Sequence, residues 1–241
     1  MAGDGLLRIL ALLTADGAVT PTSERLCRVS AEVTAMSGAG IMLMAGDVPR
    51  GSLGATDAVS TTIEDLQFSL GEGPCLDAYH QRRPVLEPDL QTPSTPRWPA
   101  FTPGAIEAGA RAIFGFPLQV GVIRLGALNL YRDASGPLSD EQHADACVMA
   151  DVAARAVIDM QAQAPSGLLA AELEAGANFQ IVVHQASGMV SVQLGIPVGD
   201  ALVRLRGYAF ANDCGLTDVA SRVVQRSLRF DEDDERWEDV Q

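Results

Sequence analysis

Strand-like runs are confined to the first part of this chain, and that asymmetry restricts its fold more than any other feature. AGIMLMAG (Ala39–Gly46), AIFGFPLQV (Ala112–Val120) and IRLGALNLYRD (Ile123–Asp133) are short apolar segments bounded by glycine or charge, the pattern of buried strands. VGVIRLG supplies a hairpin-like reversal between the last two, a second strand is expected after Gly46, and Val85–Glu87 reads as a brief one. Helical patterns lie among them. LLRILALLTAD leads the chain, and SERLCRVSAEVTAMSG is expected to be capped by Ser23 and to end at Gly38. Thr61 or Thr62 is expected to cap the next helix, with Asp65 in its first turn. CLDAYHQRR is a short helix stopped by Pro84, and AIEAGARA follows the Pro-rich loop DLQTPSTPRWPAFTPG.

Beyond Leu138 every apolar spacing is helical. Ser139 with Gln142 forms a capping signal for a helix running to Ala164, and Pro165–Gly167 interrupts it. Leu168–Leu194 resumes, with Leu169, Leu173, Phe179, Val182, Val183, Ala186, Val190 and Leu194 on its apolar side. Asp200 is expected to cap the following helix, and Thr217 a last one reaching Phe230. The fold class is therefore α+β to about residue 160, a helical connector over 161–180, three helices over 181–230, and a charged tail over 231–241 expected to be disordered.

Charge is distributed as unevenly as the strands. All 17 basic residues are Arg, and the net charge of −14 argues against general nucleic-acid binding. Residues 181–230, however, hold five Arg against three acids, a net of +2, whereas 231–241 hold seven acids against one Arg, a net of −6. The local sign is what a polyanion meets. No apolar run reaches the roughly 18 residues needed to span a bilayer, and the opening MAGDGLLRILALLTADG lacks the cationic start of a signal peptide, so a cytoplasmic protein is expected. The four Cys and three His are dispersed, and no metal site is expected.

Within Val182–Val224, QASGM in the first helix, ALVRLRGYA in the second and LTDVASRVV in the third occur in an order and spacing that resembles the ANTAR domain. That family is an RNA-binding helical module of bacterial transcription antiterminators. The resemblance implies recognition of paired RNA stem-loops whose formation prevents a terminator hairpin. It assigns the RNA face to Gln185, Ser187, Gly188 and Met189, with Arg206, Tyr208 and Ala209 of the second helix. Ser187 stands where many relatives carry Lys, which exchanges a phosphate-binding charge for a hydroxyl.

The residues themselves fit such a role. Gln185 can both donate and accept at a base edge, and Arg meets phosphate. A glycine inside a helix costs about 1 kcal/mol relative to alanine, so Gly188 calls for a reason, and close approach of an RNA loop supplies one. Gly188 also suits close helix packing, Met189 a core position, and Tyr208 either the core or a stacking platform. Arg222, Arg226 and Arg229, at spacings of four and three, predict a basic stripe on the last helix.

GEGPCLDA (Gly71–Ala78), RWPAF (Arg97–Phe101) and the strand pair holding FPL and LGALNLY together resemble a GAF domain, a sensory fold with a central antiparallel sheet flanked by helices. The resemblance implies a small-molecule ligand of unknown identity, or dimerisation alone. Cys75, Trp98 and Phe101 are candidates for a sensor pocket. Cys75 with His80 invites a nucleophile–base reading, but no orienting group or oxyanion loop accompanies them, and no enzyme is expected. The long helices around 139–164 and 168–194 are expected to pair with those of a second subunit in a homodimer.

Overall fold

The structure, a computed structural model, describes the backbone of residues 2–14, 22–93, 96–163, 171–231 and 238–239. It divides into two compact units, Met1–Ala175 and Gly176–Gln241.

In the first unit the elements follow as α1 (Ala2–Thr14), α2 (Ser23–Thr34), β1 (Gly38–Ala45), β2 (Val48–Ala55), α3 (Ala58–Leu70), α4 (Pro74–Gln81), β3 (Val85–Glu87), α5 (Phe101–Ala108), β4 (Ala112–Val120), β5 (Ile123–Arg132) and α6 (Asp140–Gln163). All five strands form one antiparallel sheet in the order β2-β1-β5-β4-β3. Successive side chains of a strand point to opposite faces, and here both faces are apolar. Ala112, Phe114, Phe116 and Leu118 of β4 join Leu128 and Leu130 of β5 in a core with α1, α2 and α6. Ile113, Ala127 and Tyr131 face the other way, into a core with Ile63, Cys75, Ala78, Trp98, Phe101 and Ala105 of the α3–α5 layer. This is why the strands read as continuous apolar runs rather than alternating ones.

Three helix ends lie elsewhere than expected, two through a neighbouring local cap and one through a remote residue. Thr22, not Ser23, caps α2 through the Arg25 N–H at 3.2 Å, and α2 stops at Ala35 in the left-handed region before Gly38 opens β1. Asp57 caps α3, accepting from the Ser60 N–H at 2.7 Å, while the hydroxyls of Thr61 and Thr62 donate back to the carbonyls of Asp57 and Ala58. Helix α5 begins at Phe101, four residues before the expected start, because Glu72 from the turn before α4 accepts from the N–H groups of Ala100 and Phe101 at 3.0 and 3.2 Å. A cap borrowed from a remote turn leaves no local signature. At α6 the expected capping box is present: Gln142 N–H donates to Ser139 Oγ at 3.1 Å, and Ser139 N–H to Gln142 Oε1 at 3.0 Å. The expected break at Pro165–Gly167 lies outside the described residues.

Helix α7 (Ala171–Leu194) contains the boundary between the units, and nothing is described of its side chains before residue 181, so the apolar expectations for Leu173 and Phe179 lie outside what is described. The second unit continues with α8 (Val198–Ala211), α9 (Leu216–Val224), β6 (Leu228–Arg229) and β7 (Glu238–Asp239). Its core comprises Val183, Ala186, Val190, Ala201, Leu202, Leu205, Val219, Ala220, Val223 and Phe230. Pro197 holds the cap position of α8, placing Asp200 in the first turn, and Gly215 precedes α9, placing Thr217 inside it. Helix α9 ends at Val224, not Phe230. Arg226 takes a left-handed conformation at φ 62° and Arg229 lies on β6, so the predicted helical stripe of Arg222, Arg226 and Arg229 does not form. The tail is not wholly unstructured either, since Glu238–Asp239 pairs antiparallel with Leu228–Arg229. Residues 232–237 and 240–241 lie outside the described set.

Candidate functional site

On the α3–α4 face of the sheet, the first unit buries a group of polar side chains. Ser60, Glu64 and Gln67 lie on the buried side of α3, interleaved with Ile63 and Phe68. Glu64 lies against β1 at Gly40, where an added Cβ would stand 2.6 Å from Oε1, so only glycine lets the carboxyl approach the sheet. Asn129 is the register partner of Gly40 on β5 and is buried. Gln67 accepts the Cys75 N–H at 2.8 Å through Oε1, tying α3 to the start of α4, which has no side-chain cap of its own.

Six buried side-chain polar atoms lack a hydrogen-bond partner among the described residues. Five belong to this group: both Glu64 oxygens, both Asn129 amide atoms and Gln67 Nε2. A buried polar atom left unpaired costs about 1–3 kcal/mol, and native proteins carry few of them. Burial pushes the Glu64 carboxyl up to about 8, with the Asn129 amide pulling the other way, so near neutral pH the acid is held protonated. The group then sets hydrogen-bond donors and acceptors together in a low-dielectric setting, where each polar interaction counts for more.

The sequence candidates Cys75, Trp98 and Phe101 converge next to this group, all buried in one apolar cluster with Ile63, Ala105 and Ile113. Trp98 donates its indole N–H to Asp77 Oδ2 at 3.1 Å, stacks edge-on with Phe101 at 6.0 Å and lies under the Arg97 guanidinium at 4.6 Å. It therefore acts as a joint between α4 and α5. The Cys75 thiol is raised well above its usual range by burial and then by Glu64, which keeps it protonated and unreactive. His80 lies apart from it, half-exposed against Asp47 at 3.7 Å and Tyr79. Glu64, Gln67 and Asn129 escaped the sequence reading. The one signal for them was the spacing of Ser60, Glu64 and Gln67 among the apolar positions of α3.

In the second unit, Gln185, Gly188 and Met189 line one groove with Val192, Gln193 and Val224, about 640 Å³ in volume. A Cβ at Gly188 would meet no atom within 4 Å, so helix packing does not require glycine there. Three residues assigned to the RNA face are instead buried. Ser187 donates its hydroxyl to the Val183 carbonyl at 2.8 Å, a helix back-bond that turns it inward. Tyr208 lies beneath Arg222, whose Nη1 donates to the phenol oxygen at 3.4 Å, and against Phe230 at 5.8 Å. Ala209 is in the same core. Arg206 is partly buried, which lowers its guanidinium to about 10, while Arg204 on the same helix is exposed.

Among the described residues no cluster of three or more His, Cys, Asp or Glu is placed to hold a metal ion, and no single helix is long and apolar enough to cross a membrane. No curated protein matches the chain. Two solved structures share the fold of the first unit. The GAF domain of a phosphoenolpyruvate-protein phosphotransferase from Coxiella burnetii is 16% identical, with a TM-score of 0.51 over 66% of this chain and 96% of its own. The corresponding domain from Acinetobacter is 12% identical, with a TM-score of 0.51 over 67% of this chain and 96% of its own. The sequence profile of the GAF domain matches residues 19–158. With its five-stranded antiparallel sheet covered by helices on both faces, and with that match over more than half its length, this chain belongs to the GAF domain family.

Proposed function

We propose that this protein is a non-catalytic cytoplasmic regulator, in which the GAF domain senses a small molecule and the C-terminal helices bind paired stem-loops in nascent RNA, as an ANTAR module does, to prevent a terminator from forming. The observation that carries the RNA reading is the convergence of Gln185, Gly188 and Met189 on one groove, inside residues 181–230, whose net charge is +2 in a chain of −14. Unstacked bases in RNA loops are read by side-chain amides and held against apolar surfaces, and the groove provides both. The sensor reading is supported by the orphaned atoms of Glu64, Gln67 and Asn129. A homodimer is supported by Leu6, Leu7 and Leu10, exposed on α1; two linked RNA modules bind paired loops more tightly than either alone.

The test is binding to an RNA with two stem-loops and adenine-containing hexanucleotide loops, against a loop-scrambled control, at low and high salt. Preference for the intact loops, lost in Gln185→Ala or Arg206→Ala, is expected. A second reading, a protein partner at the same helices without RNA, is favoured by the apolar lining of the groove and by Val192, Val203 and Phe210, all exposed. A steep fall in affinity with salt identifies RNA; a shallow one identifies the protein partner.

A further inference from the structure

We propose that the outward face of α8, built on Val203, Gly207 and Phe210, takes the same face of a second copy of this chain. The inference deepens the homodimer reading above by naming a surface in the C-terminal unit, and it does not depend on RNA. Helix α8 is apolar on two sides. Ala201, Leu202, Leu205, Tyr208 and Ala209 are its buried residues. At 100° per residue, Val203, Gly207 and Phe210 fall within about 60° of one another on the opposite side. There Val203 is 60% and Phe210 76% exposed. None of the three lines the groove of Gln185, Gly188 and Met189.

Two observations identify what covers this face. The first is its width. Asp200 and Arg206 bound it on its two flanks, and its spacing of four and then three residues is that of a heptad seam. A packed core takes a stripe at least about 100° wide, whereas a single partner helix takes a narrower one. The second is Gly207. Glycine is among the poorest helix formers, yet an added Cβ here would meet no atom within 4 Å, so packing among the described residues does not call for it. A helix crossing at Gly207 does, because the missing side chain lets two backbones come close. The seam is also complementary to itself. At about 1.5 Å per residue, Phe210 stands about 4.5 Å to one side of Gly207 and Val203 about 6 Å to the other. Two antiparallel copies related by a two-fold axis at Gly207 therefore lay the large Phe210 of each against the smaller Val203 of the other. A two-fold interface requires such self-complementarity.

The experiment measures self-association of the full chain, without RNA, by sedimentation equilibrium, and compares Phe210→Arg and Gly207→Leu with the wild type. Both variants should raise the dimer dissociation constant about tenfold. Gly207→Leu is the sharper of the two: leucine is the better helix former and meets open space, so at low concentration it should not lower the melting temperature even as it weakens the dimer. A benzophenone side chain placed at position 210 should cross-link two copies, with the link falling on residues 203–207 of the other. A dimer that neither variant weakens, or links that fall outside α8, overturns the proposal and leaves the homodimer reading standing. A wild type that stays monomeric at every concentration overturns both.

Discussion

Both units expose large apolar side chains, Val122 of the GAF unit at 88% among them, but they differ in what they bury. The GAF unit buries Glu64, Gln67 and Asn129 with five polar atoms unpaired, and the C-terminal unit leaves Val192 85% and Phe210 76% exposed. Buried polar groups and exposed apolar ones are the informative exceptions in a folded chain. The first kind lowers stability in exchange for a group of hydrogen-bonding atoms shielded from water. The second costs the fold little, because side chains already in water lose nothing further on folding. A sensor for a small molecule requires the first, since a dry setting strengthens each hydrogen bond. A surface for a macromolecule requires the second.

The largest effect that tests this contrast belongs to Glu64. Its carboxyl titrates near its ordinary value of 4.5 when unfolded and at about 8 when folded. Between those values the folded state alone holds the proton, so stability should fall as pH rises, by up to about 1.4 kcal/mol per unit, and level off above about 8. Chemical denaturation across pH measures the slope, and Glu64→Gln should flatten it. A wild-type curve as flat as the variant's would mean that the carboxyl is solvated after all. Next in size is Glu64→Met, which removes two orphaned oxygens while keeping the volume. It should stabilise the fold by about 1–3 kcal/mol and abolish ligand response; a loss of stability would show that the carboxyl has partners.

In the C-terminal unit, Val192→Arg should leave stability within about 0.5 kcal/mol yet change binding in a direction that separates the two readings. RNA affinity rises severalfold with a steeper salt dependence, whereas a protein partner bound through the apolar groove is lost. Gly188→Ala should stabilise α7 by about 0.5–1 kcal/mol, because the new Cβ meets open space, and should weaken RNA binding by crowding the groove. Smallest is Ser187→Ala. Its hydroxyl is turned into its own helix, so RNA affinity should not change; a marked loss would return Ser187 to the interface.

How much of this was legible beforehand varies by element. Strands β4 and the start of β5 coincide with the apolar runs that predicted them, and the Ser139–Gln142 box holds α6 as expected, because each signal lies within a few residues of chain. The ends of α5 and α9 were not legible. The first depends on Glu72, 28 residues before the Ala100 N–H it accepts. The second depends on Phe230 turning back to Gln193 and Tyr208, which draws Leu228–Arg229 out of helix and dissolves the arginine stripe.

Among the candidate residues the same division holds. The sequence alone determined which residues gather: the apolar spacing of α3 to α5 brings Cys75, Trp98 and Phe101 into one layer, and QASGM places Gln185, Gly188 and Met189 on one helix. Only the tertiary structure decided which side each one faces. Helical spacing leaves Ser187, Tyr208 and Glu64 equally free to point inward or outward, and the choice falls to what packs against them. Val183 takes the Ser187 hydroxyl, Arg222 and Phe230 cover Tyr208, and the missing side chain of Gly40 leaves the room on the sheet that Glu64 fills.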